Sequence, residues 1–130
     1  MNMTNKDPYI RKTLEILADE VRGDVSAAFK KMHPDYSMTW VYKNLPKVHG
    51  KKLRRLMEKA YAIKDRKYDI KHIARDKNTI MIELVETYGK YQTPLVLVLD
   101  FEKGKIRRGR HYCDPGLNQA SKKGLKRIYE

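Results

Sequence analysis

The chain reads as an α+β domain in which an antiparallel sheet packs one face on helices that precede it. Three observations predict this. Apolar residues recur at helical spacing from Ile10 to Val21 and again from Leu53 to Tyr61, and strand-like alternation fills most of the stretch from residue 68 to 113. Those later strands follow one another with only tight turns between them, and consecutive hairpins make a sheet antiparallel. At 130 residues the chain has the size of one domain with a single core, spanning about 8–115 and followed by a basic tail over 116–130.

The first helix begins at Asp7-Pro8, where aspartate caps free amides and proline suits the first turn. Ile10, Leu14, Leu17, Ala18 and Val21 form its apolar face, Gly23 ends it, and Asp24 caps a second helix, "VSAAFKKM". In "DYSMTWVY" the alternation places Tyr36, Met38, Trp40 and Tyr42 on one face of a strand, and "KNLPKVHG" follows as a loop. From Gly50 to about Ile63, Leu53, Leu56, Met57, Ala60 and Tyr61 make an apolar stripe, while Lys51, Lys52, Arg54, Arg55 and Lys59 cover the rest. Strands are expected at about 68–75, 79–88, 93–101 and 105–113, with turns at "DKN", "YGKYQ" and "EKGK". The tail has the pattern of a short final helix.

Composition limits the function classes. The densest apolar run, Pro94 to Phe101, is far shorter than the ~20 residues that span a bilayer, so it reads as a buried strand and no membrane is implied. "MNMTNKDPY" has no apolar signal core, and one cysteine, Cys113, cannot form an internal disulfide; both favour a cytoplasmic location. His33, His49, His72 and His111 lack metal-ligand spacing and no glycine-rich phosphate loop is present, so neither metal nor cofactor is expected. The net charge of +13 favours acidic partners, but it is spread along the chain, and nucleic acid through Lys51, Lys52, Arg55, Lys105, Arg108 and Arg110 is a less favoured reading.

Strand faces select the candidate site. Burying adjacent unpaired guanidiniums is costly, so Arg108 and Arg110 turn outward and Gly109, His111 and Cys113 turn inward. On 79–88 the face Ile80, Ile82, Leu84, Glu86, Tyr88 belongs to the core, and Glu86 is the exception on it. A carboxylate there needs a partner, a shifted pKa or water; paired with His111 it would raise the imidazole's pKa.

The order of elements and "DFEKGKIRRGRHYCDPG" resemble the nuclear transport factor 2-like superfamily and its SnoaL-like group over about residues 8–115. The matching features are Gly23-Asp24, Gly50, Gly104-Lys105-Ile106 and Tyr112-Cys113-Asp114. The resemblance implies a cone-shaped, curved antiparallel sheet wrapped around the N-terminal helices, a pocket at its wide end and a homodimer through the outer sheet face. It implies an acid/base position at His111, and it matches Leu84 and Glu86 to the arginine and aspartate of limonene epoxide hydrolase. The arginine is gone and the final aspartate has become histidine, so epoxide hydrolysis by that triad is not expected. The ketosteroid isomerase base and oxyanion-hole acid fall near Trp40 and Leu97, which cannot do that work.

The expectation is therefore an apolar pocket for a small apolar or weakly acidic organic ligand, with His111 and Glu86 as catalytic residues for proton transfer such as cyclisation, isomerisation or hydration. Trp40, Tyr42, Leu84, Leu97, Gly109 and Cys113 are the expected ligand-binding residues. The alternative is a non-catalytic ligand-binding or protein-interaction domain, since fold alone does not fix function.

Overall fold

A computed structural model describes residues 6–41, 46–62 and 65–113. The expected tail helix, Asp114 and Tyr42 lie outside the described residues. The elements are α1 (Pro8–Arg22), α2 (Val25–Lys30), β1 (Met32–Trp40), β2 (Val48–His49), α3 (Gly50–Tyr61), β3 (Arg66–Asp76), β4 (Thr79–Tyr88), β5 (Tyr91–Glu102) and β6 (Lys105–Cys113).

Local chemistry sets the helix ends. Asp7 accepts hydrogen bonds from the amides of Tyr9 at 2.8 Å and Ile10 at 3.1 Å, and Pro8 occupies the first turn, where its missing N–H costs nothing. Gly23 closes α1 in the left-handed region at φ 77°, a conformation that disfavours any Cβ. The next residue, Asp24, caps α2 through the Ala27 amide at 3.0 Å.

The buried face of α1 differs from the expected one. Ile10, Thr13, Ile16 and Leu17 are buried, whereas Ala18 and Val21 are exposed. Thr13 can join this face because its hydroxyl donates to the Tyr9 carbonyl at 2.9 Å and so enters the core satisfied. The same face, extended by one turn, carries Glu20 inward.

The six strands form one sheet in the order β2-β1-β6-β5-β4-β3. The sheet is curved, unclosed and mostly antiparallel, with the N-terminal helices on one face. It departs from the expected antiparallel sheet at one seam, where β1 runs parallel to β6 and Trp40 stands opposite His111. β1 lies between the short β2, which leads into α3, and the last strand, β6, so its second neighbour is the strand that ends the meander. β1 begins three residues before the expected start at Asp35, and its register against β6 shifts between Met32 and Ser37, an interval that contains Pro34. Proline donates no ladder bond, so a bulge is where it fits. β2, read from sequence as loop, pairs with β1 through two residues.

The core lies between the helices and the concave sheet face. Leu53, Ile80, Ile82, Leu84 and Ile106 are fully or almost fully buried there. Outside, Asp100 accepts from Arg110 at 2.6 Å and lies 3.6 Å from Arg108, so the outward arginines are paired across the strand.

Candidate functional site

Between α3 and the concave sheet face lies a cavity of about 60 Å³, lined mostly by apolar side chains. That is room for a handful of waters or one small ring. Leu53 and Met57 of α3 form one wall, Trp40 of β1 and Leu95 of β5 another. Five polar side chains enter it: Glu20 from the last turn of α1, Arg66 and Tyr68 from β3, Glu86 from β4 and His111 from β6. A second, smaller cavity under α1 shares Glu20, Met38 and Leu97 with the first, so Glu20 stands where the two meet.

Glu86 and His111 are both buried and both face the cavity, but they do not pair. Glu86 is level with Thr93 on β5, whereas His111 is level with Leu97, which is opposite Ile82 on β4. Four residues of strand therefore separate them, about 13 Å at ~3.3 Å per residue. The partner of Glu86 is Arg66, whose Nη1 donates to Oε2 at 2.8 Å. Both side chains are 3 % exposed or less. Arg66 also donates to the Ala60 carbonyl at the end of α3 and to the Tyr68 hydroxyl at 3.2 Å, and its guanidinium lies 5.4 Å from the centre of the Tyr61 ring. Tyr68 in turn donates to Glu20 Oε2 at 2.7 Å. The result is a chain of contacts, Glu86–Arg66–Tyr68–Glu20, that crosses the cavity wall from β4 to α1.

Burial sets the proton affinities. The Glu20 carboxyl is pushed up to about 7 by burial, against the opposing effects of hydrogen bonds from Tyr61 and Tyr68 and the charge of Arg66. Burial likewise raises Glu86, although Arg66 opposes it. For His111 burial lowers the pKa to about 4, opposed only in part by a backbone hydrogen bond. This corrects the expected raised value: burial outweighs the opposing hydrogen bond, and the imidazole stays neutral at cellular pH.

The remaining expected residues divide. Trp40, Leu84 and Leu97 line the cavity. Gly109 is buried but its side-chain space is already filled, since a Cβ there would stand 2.8 Å from both Met38 Cε and Tyr36 Oη. It serves close packing of β6 on β1. Cys113 is half-buried against the core and is not part of the cavity lining. Among the described residues no group of three His, Cys, Asp or Glu is arranged to hold a metal, and no helix is long and apolar enough to cross a membrane.

Arg66, Tyr68 and Glu20 were missed from sequence. The signal for Arg66 was the alternation Arg66, Tyr68, Ile70, which continues the strand two residues before its expected start. For Glu20 it was the spacing Thr13, Ile16, Leu17, Glu20 along one helix face.

No protein-family model and no curated protein matches the chain. Solved structures do. A nuclear transport factor 2-like protein of unknown function from Cytophaga hutchinsonii is 18% identical, with 81% of this chain and 88% of that one covered and a TM-score of 0.69. An LEH-like epoxide hydrolase from M. tuberculosis is 19% identical over 93% and 91% of the two chains, with a TM-score of 0.70. An uncharacterized cystatin-fold protein from Novosphingobium aromaticivorans is 18% identical over 80% and 97%, with a TM-score of 0.71. At such identities the likeness concerns the fold: this chain has the nuclear transport factor 2-like fold expected from its sequence.

Proposed function

We propose that the protein binds a small organic ligand in the cavity between α3 and the sheet. The observation that carries this reading is the composition of the cavity wall, apolar on most sides and crossed on one by the Glu86–Arg66–Tyr68–Glu20 chain, whose Glu86–Arg66 end is buried. Buried ionised groups are costly, and a few convergent polar groups in an apolar concavity are what a binding site needs for orientation and specificity. A stabilising core would do better with apolar residues of similar volume in those positions.

A second reading, proton-transfer catalysis such as cyclisation, isomerisation or hydration, draws its support from Glu20. A carboxyl with a pKa of about 7 is half-ionised at cellular pH and can give or take a proton, whereas His111, at about 4, acts there as a neutral hydrogen-bonding group. The fold is shared with an epoxide hydrolase, which fits this reading without deciding it.

A thermal-shift screen of single-ring compounds, followed by a turnover assay on the hits, tests both. Hits that stabilise the wild type but not the cavity-filling variant Leu97→Phe support the binding reading; hits that act equally on both, or none at millimolar concentration, overturn it. Conversion lost in Glu20→Gln supports catalysis, and binding without conversion leaves a non-catalytic domain.

The outer sheet face supports a further proposal, the pairing of two copies. Met81, Val96 and Tyr112 are 41%, 38% and 40% exposed, and Val98 and Val85 lie half-buried among them. Contiguous apolar area of this kind is uncommon on a monomer's surface.

A further inference from the structure

The polar groups of the cavity carry unbalanced charge. Among the described residues of the lining, two carboxylates, Glu20 and Glu86, stand against one guanidinium, Arg66, and the imidazole of His111 is held neutral by burial. The imbalance has an atomic counterpart. Glu86 Oε2 is taken by Arg66, but its buried Oε1 has no hydrogen-bond partner among the described residues. Tyr68 neighbours both carboxyls, but a phenol has a single hydrogen to donate and its 2.7 Å contact is with Glu20, so the two carboxyls together still have fewer donors than acceptors. Among the described residues, the site lacks one positive charge with N–H or O–H donors. A proton meets the charge requirement in the empty cavity; a ligand can meet both.

We propose that the cavity takes a small organic ammonium, whose N–H groups bond Glu20 and the open oxygen of Glu86 while its carbon frame packs on Trp40 and Leu84. This rests on the reading of the cavity as a ligand site and assigns the ligand's charge. Trp40 is buried in the wall and gives the carbon frame an apolar surface, and the ammonium, with three donors, can serve two acceptors at once. An acidic ligand is disfavoured, since its charge would add to the two carboxylates. The chain's net charge of +13 opposes a cation only at long range, because exposed charges are screened beyond ~8 Å at physiological salt while a buried pair is screened much less.

The ammonium and the proton compete for the same carboxylate, so affinity depends on pH. The groups that face Glu20 are Tyr36 of β1, Tyr61 of α3, Tyr68 and Arg66 of β3, and Glu86 of β4. Burial holds all three phenols above their ordinary value, so they stay protonated and leave the carboxyls to titrate.

The test compares benzylammonium with its neutral isostere benzyl alcohol and with benzoate, by calorimetry on the full chain at pH 8 and pH 6. Benzylammonium should bind at least tenfold more tightly than benzyl alcohol at pH 8, and about tenfold more weakly at pH 6 than at pH 8, because the Glu20 carboxyl at about 7 is mostly protonated at the lower pH. Glu20→Gln should remove both the preference and the pH dependence. If that variant does not fold, Tyr68→Phe serves in its place: losing a hydrogen bond to the carboxylate, it should move the pH midpoint of binding upward. Benzyl alcohol or benzoate binding as tightly as benzylammonium, or binding independent of pH, overturns the ammonium assignment and leaves the ligand site standing. Failure of all three probes to bind overturns both.

Discussion

Replacing Glu20 by glutamine should flatten the dependence of stability on pH between about 4.5 and 7. In the unfolded chain this carboxyl ionises near its ordinary 4.5, and in the folded chain at about 7. Through that window the native state holds the proton that the unfolded state has released. The associated stability is therefore fully present below the unfolded value, is lost as pH rises, and is gone above the folded value. At 1.36 kcal/mol per pH unit the whole difference comes to about 3 kcal/mol, an upper figure because Glu20 keeps some contact with water. Against a domain stability of about 5–15 kcal/mol this is large enough to measure.

Glutamine keeps the shape and an oxygen for Tyr68 but cannot ionise. Urea denaturation of both proteins at pH 5 and pH 8 isolates the effect: other titrating groups contribute to both proteins alike and cancel in the difference. Glutamine should become more favourable relative to glutamate by about 2–3 kcal/mol on going from pH 5 to pH 8. A carbon-13 titration of the Glu20 carboxyl provides the second reading, with its midpoint near 7. A difference between the two proteins that is the same at both pH values, together with a carboxyl midpoint near 4.5, would refute the reasoning, because Glu20 would then be fully hydrated.

Three further outcomes are expected. His111 should titrate at about 4 by nuclear magnetic resonance, with the stability tied to it present above 6.5 and lost as pH falls through the folded value; a shift of that midpoint in Glu86→Gln would show that the two groups interact after all. Arg66→Met should cost about 3–5 kcal/mol in chemical denaturation at pH 7, since it leaves Glu86 buried without its cation, and a loss below about 1 kcal/mol would mean that water reaches the pair. Light scattering at micromolar concentration should give the mass of a dimer that Met81→Lys with Val96→Lys converts to monomer, whereas a monomeric wild type would remove the pairing proposal.

What the sequence made legible and what it hid divide along one physical line. Patterns carried by single elements could be read: the Asp7 and Gly23 ends of α1, the apolar stripe of α3, the bounds of β4 and β6 and the inward turn of Glu86 and His111 all follow from local chemistry and period. Pairings between elements could not. Glu86 and His111 share a face, and nothing in the periodicity of β4 or β6 reports the offset of four residues between them, because that offset is set by the lengths of two hairpins. The parallel seam between β1 and β6 is likewise a property of the return path after α3. Arg66 shows the consequence most directly. In sequence it is one cation among many in a basic chain, and its burial is fixed only when β3 pairs with β4 and brings it beside Glu86. Glu20 is caught the same way, since a carboxylate in the last turn of a helix reads as solvated until β3 delivers Tyr68 to it. A carboxylate that continues a buried helical face, or a cation that continues a buried strand face, is therefore the pattern to search for when a site built from several elements is sought in one sequence. In this chain both exceptions to the apolar pattern point at the same cavity.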